Sequence, residues 1–216
     1  MRRVLLGVGL VFAVLPAGSA LADATIGQTG GGPSCQPGSG AVYGDPTYVV
    51  PSGGGTITSF SFRSDTTDSG DTLDFLVLRP TGGGSYTVVG ETGLFTLAGN
   101  GTVEKFPANI PVQAGDIIGF WAWTQTGTFT NCLRYASGSS IFESFSNVPP
   151  SVGDTVTFEF GIAPVDLNES ANLVTLPTRK AQCKNGGWKS FGASFKNQGD
   201  CMSFVATGGK NPPSGS

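Results

Sequence analysis

Thr155-Val156-Thr157-Phe158-Glu159-Phe160-Gly161-Ile162 alternates apolar residues with polar or small ones at every step. A period of two puts Val156, Phe158, Phe160 and Ile162 on one side of an extended chain and Thr155, Thr157, Glu159 and Gly161 on the other. That predicts a single strand over 156–162 with one core face and one wet face. Five more stretches of strand length flank it: Thr56 to Arg63, Leu73 to Arg79, Tyr86 to Glu91, Thr102 to Phe106 and Asp116 to Thr124. Gly53-Gly54-Gly55, Gly82-Gly83-Gly84 and Gly99-Asn100-Gly101 punctuate them at points where the chain must reverse. Apolar residues nowhere recur at helical spacing over ten residues of this body, so the expected fold is all-β, an antiparallel, jelly-roll-like sandwich.

Composition agrees with short strands and tight turns. The chain has 34 glycines, and 12% of its residues are charged, about half of an average domain's share of ~25%. Charge is unevenly placed: residues 23–177 hold four basic and fourteen acidic side chains, whereas residues 178–216 hold six basic and one acidic. An acidic body excludes nucleic acid as its partner, and the basic tail suits either docking on that body or contact with an anionic cell-wall polymer.

At the start, Arg2-Arg3 precede an apolar run from Val4 to Leu15, and Ala20-Leu21-Ala22 offers the small-x-small pattern of a cleavage site. Residues 1–22 read as a secretory signal peptide with Asp23 as the mature N-terminus. The run is well short of the ~20 residues needed to span a bilayer, and no transmembrane segment is expected in the mature chain. The remainder divides into a sandwich domain at 23–163, a polar linker at 164–182 and a tail at 183–216.

Four cysteines in an exported chain are expected to be bridged, and four allow three connectivities. Cys35 with Cys132 and Cys183 with Cys201 is the favoured pairing. The second bridge would close a loop of about 19 residues, for which the chain-entropy account gives roughly 3 kcal/mol. Zinc is a poor alternative, because the chain has no histidine and no Cys-x-x-Cys pair. In the tail, Trp188, Phe191 and Phe195 fall at helical spacing, and Asn197 with Asp200 three residues on forms an N-cap signature ahead of Cys201, Phe204 and Val205. A disulfide-stapled pair of short helices is predicted there.

Cys183-Lys184-Asn185-Gly186-Gly187-Trp188 followed by Phe195-Lys196-Asn197-Gln198-Gly199-Asp200-Cys201 resembles a tail that recurs in secreted β-rich proteins of high-GC Gram-positive bacteria, a group without an assigned activity. The resemblance covers the tail alone. It implies an exported protein, extracellular or at the cell surface.

The absence of histidine excludes Ser-His-Asp and Cys-His catalysis, and no Gly-x-Ser-x-Gly elbow is present. An extracellular glycoside hydrolase needs two facing carboxylates, and Glu143, Glu159 and Asp116 lie in no motif that sets them face to face. A non-catalytic role is expected. Gly115 to Trp123 is apolar on both faces, with Ile117, Trp121 and Trp123 on one and Ile118, Phe120 and Ala122 on the other. A two-layer sandwich buries one face, so the second must be covered or form an aromatic platform; Trp121, Trp123 and Tyr135 are the candidate carbohydrate ligands. Asp65, Asp68, Asp71 and Asp74 recur every third residue in one loop and are candidate Ca²⁺ ligands, with a solvated acidic turn as the plain alternative. The functional expectation is a secreted module that binds carbohydrate or envelope polymer; the alternative is an exported structural or protein-interaction module.

Overall fold

The computed structural model describes residues 23–30, 40–64, 66, 68–124, 133–135, 140–211 and 213–214. Its strands run, in chain order, β1 Asp23–Gly27, β2 Ala41–Val49, β3 Gly55–Arg63, β4 Thr72–Gly82, β5 Ser85–Thr96, β6 Val103–Val112, β7 Ile117–Trp123, β8 Leu133–Tyr135, β9 Ile141–Phe145, β10 Thr155–Thr157, β11 Phe160–Ile162, β12 Val165–Leu167 and β13 Glu169–Thr175. A four-stranded sheet, in the order β1-β13-β3-β6, faces a seven-stranded sheet, in the order β10-β5-β4-β7-β2-β9-β11; β12 pairs with β8. All of these pairings are antiparallel. The expected all-β sandwich is the architecture found.

The core between the sheets is aromatic. From β3, Phe60 stacks on Phe75 of β4 at 4.8 Å, and Phe62 meets Phe120 of β7 edge-on at 5.3 Å. Ile57 joins the same core although its spacing to Phe60 is odd, because the pairing of β3 shifts register between Ile57 and Ser59. The extra residue of such a bulge restores the inward face after one step out of phase.

The single strand expected over 156–162 is two. β10 adds to the β5 edge of the larger sheet and β11 to the β9 edge, which are its opposite ends. Phe158 and Glu159 make the crossing: the Phe158 N–H donates to the Gly84 carbonyl at 3.1 Å and the Glu159 N–H to the Glu143 carbonyl at 3.1 Å. One segment therefore bridges both margins of the sheet, which must roll up to be bridged. Rolling encloses a second core of Val42, Leu76, Leu78, Val88, Ile117, Trp121 and Val156. Tyr86, Phe142 and Phe158 close it as an aromatic trio with centroids 5.3 to 6.3 Å apart. Gly44 makes room for it, since a Cβ there would come within 2.9 Å of the Phe158 ring.

Rolling also answers the two-faced strand. Ile118, Phe120 and Ala122 pack between the sheets, while Ile117 and Trp121 pack inside the roll. Phe160, read with Val156 as core, is 51% exposed. The alternation is real, but the two halves of the segment belong to opposite margins and do not share one buried face.

Residues 164–182 do not form a linker. β13 lies between β1 and β3 as an inner strand of the smaller sheet, with Ala171 and Leu173 in the core. Beyond it come α1 Lys180–Cys183, a 3-10 helix Gly187–Ser194 and α2 Gln198–Ala206. Cys183 and Cys201 are disulfide-bonded, and around the bridge Phe191, Phe195 and Phe204 pack edge-on, with Leu176 reaching in from the end of β13. Asn197 caps α2, its side chain accepting from the Asp200 N–H at 3.0 Å, as its position three residues ahead of Asp200 predicts. The Thr56 and Ser194 hydroxyls meet at 3.2 Å. A cleft of about 650 Å³ separates the tail from the body, with Arg79 and Val112 on one wall and Phe204 and Lys210 on the other.

Phe158→Ala is expected to cost roughly 2–3 kcal/mol, somewhat less than truncation of a fully buried ring. Phe160→Ala should fall within about 0.5 kcal/mol of the parent, as for an exposed residue. Urea denaturation of both variants checks the pair, and equal losses would contradict the division of the segment into an inner and an outer half.

Candidate functional site

β7 leaves the roll at Trp123. Trp121, one step inside on the same face, is 4% exposed, and its indole N–H donates to the Ser146 carbonyl at 2.8 Å. Trp123 is 40% exposed and lies nearly parallel to Trp121, with ring centroids 6.1 Å apart and planes 12° apart. Trp121 is therefore a buried support and not the flat ligand surface expected of it, because its ring is already in the core and its one donor is satisfied. The outer indole is what remains available.

The floor beside Trp123 is held by backbone. Gly40 N–H donates to the Ala122 carbonyl at 2.9 Å, and Ser146 N–H donates to the Gly40 carbonyl. Gly40 has φ +68°, and a Cβ there would lie 3.2 Å from Trp123 Cζ3 and 3.3 Å from Asn147 Oδ1. Any side chain would thus wedge between the indole edge and the Asn147 amide. An exposed aromatic face beside a polar amide matches what a sugar ring presents: a C–H face to stack and hydroxyls to bond. The sequence pointed to Trp123; Asn147 and Gly40 carry no pattern that marks them. Tyr135 ends β8, and its side chain lies outside the described residues.

A second apolar surface lies on the other side of the larger sheet. Phe145 pairs in register with Ala41, itself opposite Ala122, so it shares their side of the sheet and Trp123 takes the opposite one. Phe145, 61% exposed, meets Phe160 edge-on at 5.9 Å. With Glu143 and Ile162 they border a shallow depression of about 450 Å³.

The carboxylates considered for hydrolysis do not converge. Asp116 is buried and forms a two-point ion pair with Arg79, at 2.8 and 2.9 Å, while accepting from the Gln113 N–H at 2.8 Å. This hydrogen-bonded pairing raises the Arg79 guanidinium further above its ordinary range. Glu143 lies in β9 opposite Phe160, while Glu159 is exposed at the crossing between β10 and β11 and donates its N–H to the Glu143 carbonyl.

The acidic loop is not the solvated turn of the plain alternative. Asp65 lies outside the described residues. Asp68, Asp71 and Asp74 are buried instead of solvated. Asp74 accepts from the Thr92 N–H at 3.1 Å and from its hydroxyl at 3.2 Å, which pins an irregularity in the β4–β5 pairing. Burial raises the Asp74 carboxyl although the Thr92 hydrogen bonds oppose it. Among the described residues, no group of three or more His, Cys, Asp or Glu side chains is arranged to hold a metal. Cys35 and Cys132 lie outside the described residues as well.

A different acidic group was not anticipated. Asp45 of β2 and Glu169 of β13 come from the two facing sheets and are both fully buried. Burial, reinforced by the Asp45 charge, pushes the Glu169 carboxyl well above the ordinary carboxylate range. Asp45 is raised too, by burial against the hydrogen bonds from Thr47 and Leu167. The Tyr48 phenol beside them is also raised, mainly by burial and then by the charges of Asp45, Asp166 and Glu169.

No protein-family model, curated protein or solved structure matches the chain.

The sign of the Glu169 effect is fixed by its raised carboxyl. In the unfolded chain it ionises near pH 4.5, so folding carries no penalty from this group below that pH, and stability is lost as pH rises toward the folded-state value. Glu169→Gln should therefore raise the melting temperature in chelator-containing buffer at pH 7 and leave it nearly unchanged at pH 4. Melting curves at the two pH values check this, and a variant less stable at pH 7 would contradict it.

Proposed function

We propose that this is an exported, non-catalytic binding protein of the extracellular space or cell envelope, and that it recognises carbohydrate through Trp123. The observation that carries the reading is the pairing of an exposed indole with a buried one. Trp121 is locked by its hydrogen bond to Ser146, and it holds Trp123 parallel in a fixed pose, so little side-chain entropy is left to lose when a ring stacks on the outer face. Asn147 supplies a hydrogen-bonding group at the indole edge.

Export is supported by the signal-like residues 1–22, by the tail's resemblance to secreted β-rich proteins of high-GC Gram-positive bacteria and by the Cys183–Cys201 bridge, which suits an oxidising compartment. Among the described residues no helix is long and apolar enough to cross a membrane. The basic tail adds affinity for an anionic cell-wall polymer.

Phe145 and Phe160 favour a second reading, an exported protein-interaction module, because an exposed pair of phenyl rings on a sheet margin is a common contact surface. Co-sedimentation with purified cell-wall polysaccharide distinguishes the two. Under the carbohydrate reading Trp123→Ala abolishes binding and shifts stability by about 1 kcal/mol or less, whereas Trp121→Ala costs roughly 3–5 kcal/mol. Retention of binding by Trp123→Ala would remove the carbohydrate reading, and loss of binding in Phe145→Ala alone would favour the second.

A further inference from the structure

We propose that Asp45, Glu169 and the Asn168 side chain form a binding site for a divalent cation of the calcium class at one end of the sandwich. The site is independent of Trp123 and of the Asp65–Asp74 loop.

Glu169 shares its strand face with Ala171 and Leu173, which pack in the core between the sheets, so its carboxylate points inward from the smaller sheet. Asp45 comes from the larger sheet, and the Leu167 N–H that reaches its Oδ2 lies two residues before Glu169. A knot of hydrogen bonds ties the two strands together at this end. Tyr48 donates its hydroxyl to the Leu167 carbonyl at 2.7 Å, and the Gln28 amide donates to the same carbonyl at 2.9 Å. The Gln28 N–H donates to the Glu169 carbonyl at 2.8 Å, and the Leu167 N–H reaches Asp45 Oδ2 at 3.4 Å. In sequence, Asn168 falls between Leu167, which contacts Asp45, and Glu169, and it is fully buried.

The side chains in this knot are under-satisfied. Both oxygens of Glu169 and both polar atoms of the Asn168 amide are buried without a hydrogen-bond partner among the described residues. Leaving such groups unpaired is destabilising, the more so when one is charged. Protonation would remove the Glu169 charge, yet it would leave the acid proton, the second oxygen and the Asn168 amide still unpaired. A hard cation satisfies both carboxylates and the amide oxygen together. Asp45 keeps capacity for it: Oδ1 accepts from the Thr47 N–H and hydroxyl at 2.8 and 2.6 Å, while Oδ2 has only the long contact from Leu167. The set has two carboxylates at its centre, with Asp166 adding field from one side. It is thus not a three-acid cluster, and calcium would complete its six to eight oxygens with the amide, backbone carbonyls and water. Magnesium, which demands a small, near-ideal octahedron, suits it poorly.

The test uses the mature chain stripped with EDTA and then titrated with CaCl₂, MgCl₂ or TbCl₃ alone. Calcium at about a hundredfold excess over its Kd should raise the melting temperature by roughly 5–10 °C, because it binds only the folded state. Magnesium should do much less, and bound Tb³⁺ should show luminescence sensitised by nearby aromatic side chains. Glu169→Gln should lose the calcium response and the terbium signal. Asp45→Asn should likewise lose both responses. Far-UV circular dichroism of both variants should match the parent, so a response lost by a variant with the parent's spectrum is not a folding failure. Identical melting of parent protein in EDTA and in calcium, or an intact calcium response in Glu169→Gln, would overturn the proposal.

Discussion

The structure depends on one hand-over of backbone hydrogen bonds. At Phe158 and Glu159 the chain leaves the β5 margin of the large sheet and joins the β9 margin, donating to Gly84 and then to Glu143. Because β5 and β9 are four places apart in the ordering of the sheet, the join forces curvature, and curvature creates an interior. That interior is what allows β4 and β7 to be apolar on both faces without exposing either. Phe75 and Phe120 fill the space between the sheets, while Leu76 and Trp121 fill the roll. An open sheet of the same strands would present the second set to water.

β3 to β7 were legible because a period of two or a compact apolar run bounded by glycine turns marks them, whereas β1, β2, β8, β9 and β12 were not read. Thr56 to Arg63 and Asp116 to Thr124 were located within a residue or so of β3 and β7. The break in β10–β11 was not legible, since Val156, Phe158, Phe160 and Ile162 keep their alternation across it and only long-range pairing separates them. β13 was missed for the opposite reason. Its Glu169, Ser170 and Asn172 look like loop residues, yet the segment lies between two partners that satisfy its backbone, and its polar side chains are partly or fully buried. The tail was the most readable part, because its order is set locally by a cap, an aromatic spacing and one bridge.

For the candidate site, sequence spacing singled out β7 but could not divide the roles of its two tryptophans. Trp121 and Trp123 share a face, so alternation cannot rank them; what separates them is the end of the roll, which falls between the two residues. The buried acids show a related limit. Asp65, Asp68, Asp71 and Asp74 attracted notice by their regular spacing, but Asp74 serves a strand irregularity. Asp45 and Glu169 are more than a hundred residues apart and become neighbours through the packing of the two sheets.

The closed margin bears on how this chain behaves among copies of itself. Strand edges are templates on which further strands can grow, and the larger sheet ends in β10 and β11, each of three residues and so a short template. The smaller sheet still ends at β1 and β6. β1 is five residues long, and β6 carries Pro107 and Pro111 opposite Ser59 and Thr56, together with Lys105. Prolines lack the N–H that a docking strand would use, and a charged lysine resists a dry contact. A glycine-rich, weakly charged β protein would otherwise be prone to edge-to-edge growth into fibrils. Here the geometry of the margins replaces surface charge as the guard against it.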